Sequence, residues 1–373
     1  MMNRVYLDWN ASAPLRPEAR AAMLAAMDVV GNPSSVHAEG RAAKAIVEKA
    51  RGQVARLTGW SEGELVFNSG ATEGANEILA HRQAIMARTE HDCVFRHFDP
   101  GWALPSDESG RVVIDERFDA TILGGLRDGE MIAIQWANSE TGVINDVGQC
   151  FDYIQNRNRS AEIFVDATQG VGKLNHDTAV TLADFGIASA HKLSGPTGVG
   201  AQLCPFGWLP AVGHESGQEN SRRAGTENVI GIAGFGAAAE AAQLDQEDGV
   251  WDRVADLRDR LEDRLASEAP DLIVFGKDVP RLPNTSCFAV PGWKGETQVM
   301  QMDLAGYAIS AGSACSSGKV NKASRVLLAM GFDEETASSA IRVSMGPTTT
   351  QAEVMGFAET WIDNYRRRKE RAA

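Results

Sequence analysis

The sequence has only five cysteines among its 373 residues, and no two of them form a Cys-x-x-Cys pair. An odd number without that spacing argues against a disulfide framework and against a structural zinc site. No stretch approaches the roughly 20 apolar residues that a membrane-spanning helix needs, and the first residues lack the apolar run of a signal peptide. We therefore expect a cytoplasmic protein with no membrane contact.

Positive charge is also scarce, because 36 Lys and Arg residues face 50 Asp and Glu residues, which gives a net charge of −14. Binding to nucleic acid needs clustered basic residues, so nucleic acid is excluded as the main partner. A basic run, Arg366–Arg371, fits the end of a solvated helix. The hydrophobic content of 43% is ordinary for a globular protein, and the length allows two domains.

Lys192 stands at the end of a short apolar run, Phe185–Ala190, which has the length of a buried strand. Ser189 and His191 flank this position, and a turn rich in glycine and proline follows. A buried lysine loses its charge readily, and a neutral amine is what Schiff-base chemistry requires. The alternative is a surface lysine after an edge strand.

Further buried strands are predicted at Glu64–Phe67, Met131–Trp136 and Ile163–Val165, and they alternate with helical segments. This alternation predicts an α/β fold with a mostly parallel sheet and helices on its faces. Ligands of such sheets bind beyond the carboxyl ends of the strands. Polar residues that fall at such ends are Thr72, Asn138, Asp166, Gln169 and Lys192.

The segment Ser69–Glu73 follows one predicted strand and opens a helix with a Gly-Ala-Thr turn. Free backbone N–H groups, a hydroxyl and the positive end of the helix dipole together suit a phosphate group. The alternative interpretation is an ordinary helix cap formed by Ser69 or Thr72.

The character of the chain changes near Pro270, where short strands and helices predict a smaller α+β domain. Cys315 lies there among small polar residues and glycines, a setting that favours an accessible thiol. Such a thiol is a nucleophile when nearby cations lower its pKa. Cys287 instead fits an inert core residue, which is the commoner role of a free cysteine.

The motifs, taken in order, resemble the cysteine desulfurase family, the pyridoxal-phosphate (PLP) enzymes of the class V aminotransferase group. They are Tyr6–Asp8 with Asn10 and Pro14, Gly31–Ser35 with His37, Ser69–Glu73, Glu90–His91, Asn138 with Glu140–Gly142, Asp166–Gln169 with Val171–Lys173, Ser189 with His191–Lys192, Gly217–Glu219, Arg223 with Gly225–Asn228, Gly312–Ser316, and Ile341–Arg342 with Ser344. The Ser-Ala-Cys context resembles the branch with a long cysteine loop.

The resemblance implies a fold-type I PLP-dependent transferase. Its large PLP-binding domain would span residues 15–260, and its small domain would comprise residues 1–14 and 261–373 and carry the catalytic cysteine loop. Homodimer formation is also implied, since Thr226 would reach the cofactor phosphate of the neighbouring subunit.

The remaining cofactor contacts follow from the same resemblance. Lys192 would bond covalently to the cofactor aldehyde, and Asp166 would pair with the pyridine nitrogen. Gln169 would hydrogen-bond the phenolic oxygen, and His91 would stack on the ring. The groups implied to hold the phosphate are Ala71, Thr72, Ser189 and His191.

The implied reaction converts L-cysteine to L-alanine. Asn138 and Arg342 would grip the substrate carboxylate, for which a bidentate guanidinium is suited. Lys192, once freed, would take the Cα proton, and the thiolate of Cys315 would attack the substrate sulfur. The resulting persulfide would pass its sulfur to an acceptor protein or thiol, with iron–sulfur cluster assembly, tRNA thiolation and a cofactor pathway as open destinations.

The sequence departs from the family pattern at Trp9, Ser12–Ala13, Ser139, Glu215–Ser216 and Pro347. None of these is an implied cofactor or persulfide residue, so the departures concern the substrate pocket or the acceptor surface. The alternatives are another enzyme of the same fold, namely a selenocysteine lyase or an aminotransferase, and a non-catalytic scaffold subunit.

Overall fold

The computed structural model describes residues 4–60, 63–80, 82, 84–115, 131–175, 181–208, 210, 217–312 and 323–372. Cys315 and the departure at residues 215 and 216 lie outside these described residues. The described chain forms three sheets, of which the largest lies in the first two thirds of the sequence.

Within the described residues, the large sheet has seven strands in the order β2-β8-β7-β6-β5-β3-β4. Its strands are β2 (Gly63–Asn68), β3 (Ala84–Ala87), β4 (Phe98–Leu104), β5 (Met131–Gln135), β6 (Glu162–Asp166), β7 (Phe185–Ser189) and β8 (Gly200–Pro205). Neighbouring strands from β4 to β7 pair in parallel, whereas β8 pairs antiparallel with both β7 and β2. The predicted mostly parallel sheet of an α/β fold is therefore confirmed.

The helices of this first part are α1 (Pro17–Met27), α2 (Ala38–Thr58), α3 (Ala71–Leu79), α4 (Asp92–Phe95), α5 (Val147–Gln155) and α6 (Val229–Glu247). Two hydrophobic clusters separate the sheet from them. One contains Val54, Ile134 and Phe235, and the other contains Ile78 and Phe185. Apolar strands that are buried on both faces are typical of a sheet covered by helices on both sides.

Local signals set the ends of several helices. The His37 side chain accepts a hydrogen bond from the Gly40 amide and so caps α2, which ends at Gly59 with a φ of 69°. The side chain of Asn228 caps α6 in the same way. Gly249, at a φ of 66°, separates α6 from α7 (Val250–Ala266). Only glycine adopts this left-handed conformation at little cost.

The C-terminal part contains a four-stranded sheet within the described chain, in the order β12-β13-β10-β9. Its strands are β9 (Ile273–Val274), β10 (Thr285–Ala289), β12 (Ser310–Ala311) and β13 (Ala340–Ser344), and a two-stranded sheet pairs β1 (Val5–Tyr6) with β11 (Tyr307–Ala308). The helices are α8 (Gly295–Leu304), α9 (Arg325–Ala329), α10 (Glu334–Ser339) and α11 (Gln351–Ala372).

This part has its own hydrophobic core. Phe288, Phe357 and Trp361 are fully buried in it, and residues of α7 such as Leu261 contribute to the same cluster. The predicted domain boundary between residues 260 and 261 thus falls inside α7, and the division into domains stays a prediction. No helix among the described residues is long and apolar enough to cross a membrane.

Candidate active site

A cavity of about 120 Å³ lies at the carboxyl ends of β5, β6 and β7. Eight of the residues that the sequence proposed for cofactor binding line it: Ala71, Thr72, His91, Asp166, Gln169, Ser189, His191 and Lys192. The structure also places Cys93, Gln135, Ala137, Ser139 and Thr168 in the wall. The strand β8 pairs antiparallel with β7, but the parallel strands β5, β6 and β7 still end together at this edge of the sheet.

The N-terminus of α3 forms one end of the cavity. The Ala71 amide donates to the Ser189 hydroxyl over 2.8 Å, which ties the start of α3 to the end of β7. A Cβ at Gly200 would lie 2.5 Å from the Cα of Gly70, so this approach requires glycine. Thr72 is exposed beside it. Backbone N–H groups at a helix N-terminus attract anions, so this end suits a phosphate.

His191 and Lys192 belong to a single 3-10 turn directly after β7. Burial, followed by the charge of Lys192, lowers the pKa of His191 to about 4. The imidazole is therefore neutral at pH 7. The Lys192 Nζ donates to the backbone carbonyls of Asn10 at 2.7 Å and Ala11 at 2.9 Å, so the N-terminal segment passes beside the amine.

Asp166 ends β6 and is buried, and its Oδ1 accepts a hydrogen bond from the Thr168 amide at 3.0 Å. Gln169 follows one turn later, and its Nε2 donates to the Asn10 carbonyl at 3.1 Å. A carboxylate and an amide thus stand side by side on the cavity wall.

His91 is the residue that precedes α4, and its ring is fixed by the chain that follows. Its Nδ1 accepts the Cys93 amide at 3.2 Å and lies 3.0 Å from the Cys93 Sγ. Because Nδ1 accepts this amide hydrogen, the ring proton of the neutral imidazole belongs on Nε2. Burial raises the pKa of the Cys93 thiol, so this sulfur stays protonated at neutral pH.

The two residues proposed for the substrate carboxylate do not line the cavity wall. The Asn138 side chain shapes its own turn, since its Oδ1 accepts the amides of Glu140 and Thr141, each at 2.9 Å. Its Nδ2 donates to the Thr89 carbonyl at 3.0 Å. The Asn138 amide is therefore already occupied by the protein.

Arg342 lies on β13 and is 3% exposed. Its Nη2 pairs with the Asp8 carboxylate at 2.7 Å, and its Nη1 donates to the Ser139 carbonyl at 2.8 Å. Its Nε is buried without a hydrogen-bond partner among the described residues. Ser139 lines the cavity, so Arg342 lies directly behind the cavity wall. Its Nε–H is still available as a donor.

Thr226 is exposed and contributes nothing to the cavity wall of its own chain. This exposure is compatible with a role toward a neighbouring subunit, which stays a prediction. Cys315, proposed as the sulfur nucleophile, lies outside the described residues.

Sequence reasoning missed two residues of the cavity wall, Cys93 and Gln135. Cys93 could have been found from its position two residues after His91, and Gln135 from its position at the end of a predicted strand. No group of His, Cys, Asp and Glu in the described part of the chain is arranged to hold a metal ion.

Comparison with known proteins identifies the family. Residues 5–357 match the model of class V aminotransferases. A cysteine desulfurase of Cereibacter sphaeroides is 37% identical, over 95% of this chain and 93% of that protein. The structure of a NifS-like protein from Rickettsia africae superposes with a TM-score of 0.88 at 28% identity, covering 98% of this chain and all of the other.

A further structure, described as SspA in complex with cysteine, superposes with a TM-score of 0.70 at 25% identity and covers 93% of this chain and 100% of its own. The predicted resemblance is confirmed by a family model that spans most of the sequence and by curated relatives above 30% identity. The chain belongs to the class V aminotransferase family, and curated cysteine desulfurases are among its relatives.

Proposed function

We propose that this protein is a PLP-dependent cysteine desulfurase, which converts L-cysteine to L-alanine and passes the sulfur through an enzyme persulfide to an acceptor. The observation that carries the proposal is the convergence of eight sequence-predicted cofactor residues, spread from position 71 to position 192, on one cavity. Residues so far apart in sequence share a wall only when the fold brings them there.

The donor set of the cavity fits the chemical groups of PLP. The α3 N-terminus with Ser189 suits a phosphate, the Asp166 carboxylate suits a protonated pyridine nitrogen, and Gln169 offers an amide to a phenolic oxygen. Lys192 supplies the amine for an aldehyde. Bound there, PLP would supply an electron sink for the amino carbon of the substrate.

Each residue of the chain then has a task of its own. The neutral His191 would donate an N–H to the phosphate without adding a charge, and His91 would stack its ring on the cofactor. The Lys192 amine carries the proton to and from the substrate Cα, which general acid–base catalysis requires to be within hydrogen-bond reach.

The substrate carboxylate would be held by Asn138 and Arg342. The free Nε of Arg342 and its position directly behind Ser139 support this assignment for the guanidinium. For Asn138, one hydrogen bond of its turn has to be exchanged for the substrate, because its amide is already engaged.

Cys315 would be the sulfur acceptor. Its thiolate attacks the substrate sulfur, so an S–S bond forms while the Cβ–S bond breaks, and the bonding electron pair stays with the carbon fragment. Protonation of that fragment yields alanine, and the persulfide keeps both sulfur atoms. A second thiol or an acceptor protein then removes the terminal sulfur.

We further propose a homodimer in which Thr226 faces the cofactor phosphate of the second copy. Its exposure in the single chain supports this arrangement. The molecular mass in solution tests the dimer, and both the wild type and Thr226→Ala are expected to be dimers. Titration with PLP tests the role of Thr226, and the variant is expected to bind PLP more weakly.

The test of the activity uses the purified protein loaded with PLP. With L-cysteine and a thiol reductant, sulfide and alanine should appear in equal amounts, and Lys192→Ala should abolish both. Amino transfer to a 2-oxo acid, with no sulfide, would instead identify an aminotransferase. Turnover restricted to L-selenocysteine would identify a selenocysteine lyase, and no visible absorbance after addition of PLP would favour a scaffold subunit.

A further inference from the structure

Lys173 is a buried amine that lies behind the cavity and does not form part of its wall. It is 6% exposed, and its Nζ donates to the Gln169 Oε1 at 2.8 Å and lies 3.5 Å from the Asn10 Oδ1. No carboxylate of the described residues forms an ion pair with it. Burying an unpaired ammonium group is costly, so an apolar side chain would stabilise this position better.

The consequence of the burial is a weakly basic amine. Burial first, and then the charges of Lys192 and Arg342, lower the pKa of Lys173 to about 7. In either protonation state the amine still has hydrogens to donate, so its contact with Gln169 does not depend on its charge.

That contact determines which way the Gln169 amide points. Its oxygen accepts from Lys173, and its nitrogen donates one hydrogen to the Asn10 carbonyl. The second hydrogen of the nitrogen remains for the cavity, which Gln169 lines. A flipped amide would place its oxygen against the Asn10 carbonyl oxygen and its NH₂ group against the Lys173 amine, which as an ammonium has no lone pair to accept it, so Asn10 and Lys173 together exclude that orientation.

Lys173 is also coupled to Lys192. Both amines bond to Asn10, one to its side chain and the other to its backbone carbonyl, and both border a space of about 10 Å³. A positive charge on Lys173 disfavours a positive charge on Lys192. The other ionisable groups in this neighbourhood are His91 and Asp166 in the wall, His191 beside Lys192, Arg342 behind it, and Arg16, which borders the same small space and pairs with Asp245.

We propose that Lys173 is a positioning residue of the cofactor site, which holds the Gln169 NH₂ group toward the cavity and biases Lys192 toward its neutral form. This inference rests on the proposed function, because Gln169 and Lys192 act on PLP. Removal of Lys173 should raise the pKa of the group that Lys192 forms with the cofactor, for two reasons. The phenolic oxygen would lose the donor that Gln169 offers it, and a nearby positive charge would be lost.

The test is a pH titration of the visible absorbance of PLP-loaded protein, together with the dissociation constant of PLP. Lys173→Met should raise the titration midpoint by at least about half a pH unit and weaken PLP binding about tenfold, the effect of one lost hydrogen bond to a charged group. Lys49→Met, a change on the exposed face of α2, is the matched control and should alter neither value.

Two further variants separate positioning from packing. Lys173→Arg keeps a positive donor and should stay closer to the wild type than Lys173→Met does. On a Gln169→Ala background, Lys173→Met should weaken PLP binding less than about twofold, since the amide it orients is gone.

The possible failures are distinguishable. Wild-type protein without visible absorbance after PLP addition would overturn the proposed function and this inference with it. Wild-type absorbance combined with an unchanged midpoint and affinity in folded Lys173→Met would overturn this inference alone, and so would equal shifts in the Met and Arg variants.

Discussion

The Ala71 amide and the Ser189 hydroxyl, 118 positions apart in sequence, are joined by a hydrogen bond of 2.8 Å. Without the hydroxyl, the buried amide loses its acceptor and the start of α3 loses its tether to β7. We expect Ser189→Ala to weaken PLP binding about tenfold. Titration of the visible absorbance measures this, with Ser160→Ala on an exposed turn as the control. Equal affinities in both variants would contradict this role.

The Asp8–Arg342 ion pair leads to a prediction about substrate binding. Arg342 is fixed by Asp8 and Ser139, and its geometry as a planar fork is not reproduced by an ammonium. We expect Arg342→Lys to raise the KM for L-cysteine about tenfold while the cofactor absorbance stays unchanged. Steady-state kinetics check this, with the exposed Arg260→Lys as control. An unchanged KM would remove Arg342 from the substrate site.

Arg325 connects the C-terminal part of the chain to the turn that carries His91. Its guanidinium donates to the carbonyls of Arg88 and Glu90, pairs with Asp92 at 3.0 Å, and lies 3.9 Å from the centroid of the Phe95 ring. These contacts should together stabilise the fold by about 2 kcal/mol.

Arg325→Ala should therefore lower the midpoint of thermal unfolding, and Arg325→Lys should recover little of it, because one ammonium cannot make the forked contacts. Differential scanning calorimetry is the measurement, and the exposed Arg20→Ala is the control. A midpoint that falls no further than in this control would show that the contacts contribute nothing to stability.

Glu140 makes the stability depend on pH. Burial raises the pKa of its carboxyl group from 4.5 to about 7, while Ser324, Arg342 and Arg325 oppose the rise and Asp92 adds to it. The folded state binds a proton that the unfolded state has released, so this group's contribution is lost as pH rises from 4.5 through 7.

Between pH 5 and pH 8 the expected loss is about 2.5 kcal/mol. Glu140→Gln should remove that part of the slope. Urea unfolding of both proteins at the two pH values measures this loss. An equal change in the free energy of unfolding in both proteins would show that Glu140 ionises normally.

The sequence predicted the strand ends well because short apolar runs followed by polar residues mark them. Asp166, Gln169 and Lys192 were expected at one sheet edge, and the structure brings them to one cavity. The network behind the cavity was not predictable, since Lys173 reaches Asn10 across 163 positions. Neither spacing nor periodicity carries information about such a contact.

Two details of the fold also escaped the sequence pattern. The strand β8 resembles its parallel neighbours in composition, yet it runs antiparallel after a short turn, because the connection from β7 is too short for a parallel crossover. The strand β13, which carries Arg342, pairs with β10 and β12, both of which are distant from it in the sequence. Ile341 and Val343 alternate with Arg342 and Ser344 as in a strand, but this alternation does not indicate which strands become its neighbours.

The most direct test of the central claim is the fate of the Cys315 sulfur. Protein loaded with PLP is treated with one equivalent of L-cysteine, alkylated without reductant, and digested for mass spectrometry. The peptide that contains Cys315 should carry one additional sulfur atom and alanine should appear, and Cys315→Ser should show neither while it retains the visible absorbance of the cofactor. Undiminished alanine formation by Cys315→Ser would contradict the account.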